Sequence, residues 1–387
     1  MSLARPEILV DPYPHYAKLR ENTPVFFYEP LNSWMFTKYA DCVAVLKDSA
    51  RFAADWRRVG EQVPPRAINM LTLDPPEHTG VRRLFLETLR AQDNAKIEAQ
   101  IAARTTELLD SLQDRESFDF LTEFAEPLAL NTTADYLGVE PPEAEWTSRV
   151  GRIVAAGMDA GLWPERGAQL RDAHEELADL VDGWMADLPK TGILGELRAR
   201  LDGTDVAPDV LANTVRGLLF SGFSSGGKLL ASAAVTVFHE RAAALPDFVA
   251  ADPVRATDEL VRYAGPIQAV ARACITDTTI GDTQVKAEQA VTLLLGAANR
   301  DPDRFADPES VHLDRHPNPH LGFGRGPKSC LGSPFTAILL RVVMRMLSQR
   351  FPEAHATGEP SYLPNLTLRS LDRFPVSLRA ESQAGVP

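Results

Sequence analysis

The chain has 387 residues, 44% of them hydrophobic, and a formal net charge of −13. That charge argues against a general nucleic-acid binder, and the apolar content supports a sizeable core in one large domain or two ordinary ones. The 3 cysteines, Cys42, Cys274 and Cys330, are too few and too scattered for a disulfide framework, a zinc cluster or a four-cysteine iron–sulfur site.

The start carries no signal-peptide pattern. Asp11-Pro12-Tyr13-Pro14 predicts a turn at a helix start, with the helix over His15 to Glu21. Val25-Phe26-Phe27-Tyr28 and Ser33-Trp34-Met35-Phe36 predict two short strands around a Glu-Pro-Leu-Asn turn, followed by a helix over 39–48. Helical periodicity dominates from about 78 to 200, broken at Pro127, Pro141-Pro142 and Pro164, and 207–240 is the longest helical candidate. Further helices are expected at 255–264 and 330–350, with strand-like pieces at 267–275, 284–286 and 290–295 and a turn at Gly281-Asp282. No run of about eighteen apolar residues suggests a membrane anchor, and no linker divides the chain. The expected protein is mainly α with small β-sheets (α+β), soluble and cytoplasmic.

The most informative segment is Phe323-Gly324-Arg325-Gly326-Pro327-Lys328-Ser329-Cys330-Leu331-Gly332. Two glycines permit backbone angles that a Cβ resists, so the loop can bend around its cysteine and bring N–H groups to the sulfur. Cys330 is expected to open the following helix, whose positive end favours a thiolate, and Phe323 to shield the sulfur from water. Such a loop suits a thiolate holding a large flat cofactor. A lone cysteine beside a glycine turn is otherwise unremarkable; it is the aligned set that carries the reading.

This segment resembles the haem-binding loop of the cytochromes P450, Phe-Gly-x-Gly-x-(His or Arg)-x-Cys-x-Gly. The resemblance runs from Asp11 nearly to the end and implies one haem-thiolate domain of cytochrome P450 fold over 1–387, of the soluble bacterial type. It implies haem b with Cys330 as its iron ligand. Glu259-Leu260-Val261-Arg262, ordinarily a surface pair, resembles the family's Glu-x-x-Arg motif, with Arg315 as third member of a structural ion network. Asp74-Pro75-Pro76-Glu77-His78-Thr79-Gly80-Val81-Arg82 resembles another family segment, so His78 and Arg82, one helical turn apart, are expected to meet the haem propionates with Arg272 and His320.

The run Ser221-Gly222-Phe223-Ser224-Ser225 resembles the oxygen-binding helix, where the family usually has (Ala or Gly)-Gly-x-(Asp or Glu)-(Thr or Ser). Gly222 then leaves room for dioxygen. Ser224 stands where an acid is usual, and Ser225 takes the alcohol position. Serine relays protons but is no carboxylic reservoir. Three readings of this departure are open: a Ser224–Ser225–water chain, a substrate group that joins the relay, or peroxide use that bypasses it. Lys328 replaces the usual histidine or arginine, which bears on propionate contact or partner docking, and Arg325, Lys328, Arg341 and Arg345 form a candidate docking patch.

The resemblance implies a monooxygenase inserting oxygen into a hydrophobic or amphipathic metabolite of secondary metabolism. The alternatives are peroxide-dependent oxidation, oxidative cyclisation or carbon–carbon coupling, and a non-catalytic haem carrier or sensor. Met70, Leu71, Phe223, Ile267, Val270, Leu366 and Leu368 are pocket candidates, with 151–170 as covering segment. Expected partners are a small organic substrate, free or bound to a carrier protein, and a ferredoxin or flavodoxin with an NAD(P)H-dependent reductase; no nucleic acid or membrane is expected.

Overall fold

A computed structural model describes residues 3–380. The helices that build the interior are α1 (Glu77–Arg90), α2 (Glu126–Leu137), α3 (Ala144–Gly157), α4 (Arg166–Ala186), α5 (Pro208–His239), α6 (Pro253–Ala264) and α7 (Ser333–Arg350). Proline stands within the first helical positions of α5, α6 and α7, where its missing N–H leaves no helix bond unmade. Asp252 caps α6 by accepting from the N–H groups of Val254 and Arg255.

Helix α5 is long and apolar enough to cross a membrane by length and composition, yet 72% of its most apolar window is buried inside the protein. It is the central core helix. Two turns of it, Ser221–Ser225 and Val235–His239, are π-helical. Such widened turns rotate the following side chains relative to those before them, and they recur at functional sites.

The larger sheet joins the two halves of the sequence. Its strands are β1 (Val25–Tyr28), β2 (Ser33–Phe36), β3 (Phe52–Ala53), β4 (Ala269–Cys274) and β5 (Ala290–Leu294), in the order β1-β2-β5-β4-β3. The β1–β2 hairpin pairs Val25 with Phe36 and Tyr28 with Ser33, as the sequence predicts. Strand β2 runs parallel to β5, pairing Ser33 with Ala290, and β4 is antiparallel to both β5 and β3. The Gly281-Asp282 turn closes a separate small hairpin, Thr278–Ile280 with Thr283–Val285, whose first strand is additional to the expected pieces. Gly281 has φ +55°, the left-handed conformation a tight turn needs.

The largest apolar cluster unites α5, α6 and α7 through residues such as Leu230, Val261, Leu339 and Val343. A second packs α1, α2, α3 and α4 against the first half of α5. Between these clusters and β4 lies the cavity described below. The terminal helix begins at Ser333 rather than at the cysteine, because Gly332 is its cap and the Ser333 hydroxyl turns back to donate to the Cys330 carbonyl at 3.2 Å. Cys330 therefore precedes the helix instead of opening it.

Candidate functional site

A cavity of about 300 Å³ is enclosed by α1, α2, α5, the start of β4 and the cysteine loop. Its walls are chiefly apolar, with Met70, Leu71, Leu218, Leu229, Val261, Ile267, Val270, Leu295 and Phe323 among them. Leu71 stands at the mouth and is 57% exposed.

The cysteine loop is fixed by its own backbone. The Cys330 N–H donates to the Phe323 carbonyl at 2.8 Å, and the Gly324 N–H to that of Leu321 at 2.8 Å. Gly324 and Gly326 have φ +65° and +72°. At Gly326 an added Cβ would lie 2.6 Å from the Leu46 carbonyl oxygen, so both angle and space require glycine there. Cys330 faces the cavity, while Cys42 and Cys274 are buried in the sheet's core. Although its surface is open to the cavity, the protein around Cys330 desolvates the thiol and raises its pKa; the backbone N–H of Gly332, the Arg82 guanidinium and the N–H of Ser333 oppose the rise.

Behind the loop, Glu259 and Arg262 are wholly buried and joined by two hydrogen bonds of 2.8 Å, from Nε to Oε2 and from Nη2 to Oε1. Arg315 donates to both Glu259 oxygens at 3.1 and 3.0 Å, and the His312 N–H and the Asn318 side chain complete the carboxylate's shell. Arg262 also donates to the carbonyls of Asn299, Pro308 and Ser310. Burial alone would raise the Glu259 pKa, but the Arg262 hydrogen bond, its charge, the His312 N–H and Arg315 hold it below the usual value. The three predicted members thus stand together, tying α6 to the segment that leads into the cysteine loop.

One side of the cavity gathers cations. His78, Arg82, Arg272 and Lys328 all line it. Burial first, then the charges of Lys328 and Arg82, pull the His78 pKa down to about 4, against the opposing Asp74. Its Nε2 is buried without a hydrogen-bond partner. Burial likewise pulls Lys328 down to about 8, with Asp74 opposing and Arg272 and Arg82 reinforcing. Arg82 donates to the Ser329 carbonyl at 2.9 Å, at the base of the loop. Two carboxylates placed here would satisfy the orphaned imidazole nitrogen and relieve the mutual repulsion. The residues present therefore fit haem: a thiol facing the cavity, apolar walls, and a cationic end for the propionates.

The cavity corrects several expectations. His320 does not line it: its Nδ1 accepts from the Gly322 N–H at 3.2 Å and its ring lies against Phe323 at 5.6 Å. Lys328 occupies the cationic end instead, its side chain only 8% exposed and its Nζ 3.2 Å from the Met70 carbonyl. The replacement in the family pattern was the available signal. Phe223 also misses the cavity; its ring fills the space left by Gly151 of α3, where a Cβ would approach to 2.7 Å. Leu366 packs with Tyr13, Ala269 and Leu294, under Leu162 and Trp163 of the covering segment, rather than forming a cavity wall. There Asp159 accepts from the N–H groups of Leu366 at 2.7 Å and Thr367 at 3.0 Å.

On α5 the helical period separates the motif's residues. Ser221, Gly222 and Ser225 face the cavity, and Ser225 donates to the Ser221 carbonyl. Ser224 points away, buried, with its Oγ 2.8 Å from Lys228 Nζ. Gly222 also serves packing: a Cβ there would lie 2.5 Å from Thr133 Cγ2 and 2.7 Å from its Oγ1. Thr133, a cavity residue that no sequence motif marks, has a buried hydroxyl oxygen without a partner. The docking patch is also altered. Lys328 turns inward, and Arg341 and Arg345 both pair with Glu98, at 2.9 and 3.1 Å.

Comparison with known proteins gives a consistent result. The sequence model of the family described as cytochrome P450 matches residues 255–368, from α6 through the cysteine loop. The 6-deoxyerythronolide B hydroxylase of Saccharopolyspora erythraea is 29% identical, covering 95% of this chain and 96% of its own. The polyketide biosynthesis cytochrome P450 PksS of Bacillus subtilis is 26% identical, covering 95% and 96%. The crystal structure of CYP164A2 of Mycobacterium smegmatis in its ligand-free state superposes with a TM-score of 0.83 at 29% identity, over 97% of this chain and 98% of that one.

Proposed function

We propose that this chain is a member of the cytochrome P450 family and forms one haem-thiolate domain over residues 1–387, with Cys330 the ligand to the iron of haem b. It is a haem-thiolate monooxygenase acting on a small organic molecule. The observation that carries the site assignment is the cavity itself, with Cys330 on one wall, a cationic end and apolar walls elsewhere.

When bound, the haem supplies dioxygen activation, which its thiolate ligand favours. The protein's share is to bind, orient and exclude water. His78, Arg82, Arg272 and Lys328 hold the propionates, His78 through its free Nε2. Glu259, Arg262 and Arg315 keep the cysteine loop in shape. Gly222 and Ser225 line the distal wall, the Ser225 hydroxyl oriented by the Ser221 carbonyl it donates to. Met70, Leu71, Ile267 and Val270 supply the apolar contacts that select substrate.

Relatives named for polyketide biosynthesis and for hydroxylation of 6-deoxyerythronolide B support a polyketide-like secondary metabolite as substrate, free or tethered to a carrier protein. Those names favour the monooxygenase reading over peroxide-driven or coupling chemistry. Electrons come from a redox partner, here assigned as a ferredoxin or flavodoxin with an NAD(P)H-dependent reductase in the cytoplasm.

The test is a visible-spectrum titration of the purified ferric protein with a panel of polyketide, terpenoid, peptide and aromatic metabolites. Polyketides should give the largest low-to-high-spin shift and be oxygenated with NADPH, ferredoxin and reductase. Turnover with hydrogen peroxide and none with the reductase system would overturn the reading.

A further inference from the structure

Behind the distal turn of α5 lies a buried amine that the cavity does not use. Lys228 is 4% exposed and sits one helical turn after Ser224. Its Nζ donates to Ser224 Oγ at 2.8 Å and approaches the Ser224 carbonyl oxygen at 3.5 Å. Among the described residues these are its side-chain hydrogen bonds, and no carboxylate stands within ion-pair distance of it. An unpaired ammonium is costly to bury, so its placement against that one hydroxyl calls for an account.

We propose that Lys228 is a positioning residue that keeps a transferable proton at Ser224, in place of the carboxyl group this helix lacks. The proposal rests on the monooxygenase reading and deepens it. Lysine only donates, so the Ser224 oxygen accepts from it and the serine's own proton is left available for transfer. Ser224 belongs to the π-helical turn Ser221–Ser225, whose first, second and last residues line the cavity.

The charged groups around the amine come from three directions. Glu126 at the start of α2 favours its charge and Arg152 on α3 opposes it. Arg152 in turn pairs at 2.9 Å with Asp372, on the strand Leu371–Arg373. Glu126 is half-buried and accepts from the Ser148 hydroxyl at 2.8 Å, which gives the buried amine a polar neighbour near solvent. Burial draws the Lys228 pKa down to about 8, so it exchanges a proton far more readily at neutral pH than a surface lysine.

The step balances simply. A Lys228 N–H bond breaks as a Ser224 O–H bond forms, and the original Ser224 proton passes to a water that carries it around the π-helical turn to the cavity beside Ser225. The ammonium becomes a neutral amine, the receiving water carries the positive charge, and no electrons move. The amine then regains a proton from solvent on the Glu126 side.

The test uses the holoenzyme with NADPH, ferredoxin and reductase, oxygenating the metabolite of the panel above that gives the largest spin shift, between pH 6 and 9. The wild-type rate should fall as pH rises through about 8. Lys228→Met should be slower by about tenfold or more and flat across that range. Lys228→Arg should keep a hydrogen bond to Ser224 yet be as slow and as flat as Lys228→Met, since arginine does not deprotonate and cannot give up the proton. The double change Ser224→Asp with Lys228→Met should recover the rate. Independently of activity, the ¹³Cε resonance that Lys228→Arg removes from lysine-labelled protein should titrate near pH 8, and Ser224→Ala should move it. An unchanged profile in Lys228→Met, or a resonance titrating with the surface lysines, would overturn the proposal. If Lys228→Met fails to fold, Ser224→Ala carries the same rate test. A wild-type protein without the carbon monoxide spectrum of a thiolate-bound haem would instead sink the monooxygenase reading.

Discussion

The two walls of the cavity are held by different means. On the cysteine side the backbone is pinned by its own hydrogen bonds, two left-handed glycines and a buried carboxylate with six hydrogen bonds from four residues. On the distal side α5 carries a π-helical turn, a glycine pressed on Thr133, and a serine held by a buried lysine. The first wall is densely bonded, with Asn318 Oδ1 left over in the Glu259 network, so removing one of its bonded groups strands a polar partner. The second holds orphaned or exchangeable groups, the Thr133 hydroxyl and the Lys228 amine, and has latitude to change chemistry without losing the fold.

The sharpest way to break the contrast is at the sulfur. Cys330→Ala should abolish the thiolate signature in the carbon monoxide spectrum and reduce oxygenation by about a thousandfold or more, while the distal wall stays intact by circular dichroism.

Next comes the network behind it. Glu259→Ala leaves Arg262 charged and buried, and should destabilise the protein by roughly 3–5 kcal/mol in denaturant unfolding. Because the folded-state pKa of Glu259 is lowered, its contribution is present above the ordinary glutamate range and is lost as pH falls through the folded value. Acid unfolding of Glu259→Gln should accordingly show a shallower pH dependence than wild type.

On the distal wall the effects should be smaller. Gly222→Ala forces a Cβ against Thr133 and should cost about 1–3 kcal/mol, part of it recovered when Thr133→Ala is added. Lys228→Met should stabilise the protein. The lysine's folded pKa lies near 8 against 10.5 when solvated, so its burial penalty is full below pH 8 and fades as pH rises through 10.5. Near pH 7 that penalty is of order 3 kcal/mol, and the lost hydrogen bond to Ser224 offsets part of it, leaving a net gain of about 1–2 kcal/mol. A stabilised but slower enzyme would set the two walls apart most clearly.

Sequence made the cysteine wall legible and the distal wall only partly so, for a physical reason. Cys330, Glu259, Arg262 and Arg315 act through short segments whose residue types are dictated by the bonds they make, so their spacing is enough. The β1–β2 hairpin is legible for the same reason, since its turn fixes its register. Rotation about α5 is different: whether Phe223 and Ser224 face the cavity depends on a π-helical turn that no residue type announces. Thr133 and Gly151 matter through the space across from Gly222 and Phe223, which is a property of pairs far apart in sequence. His320 and Lys328 illustrate a third case. Both are basic and near the cysteine, and only the path of the loop decides which turns inward.

The pairing of Arg341 and Arg345 with Glu98 has a consequence for electron supply. A redox protein that approaches this face meets arginines whose charge is already half spoken for. Its carboxylates must displace Glu98, so recognition is an exchange of partners rather than a capture of free cations. Each new ion pair is made as an old one is broken, and the affinity should respond to ionic strength less steeply than the number of arginines implies. For any acidic partner that docked there, Glu98 would act as an internal competitor.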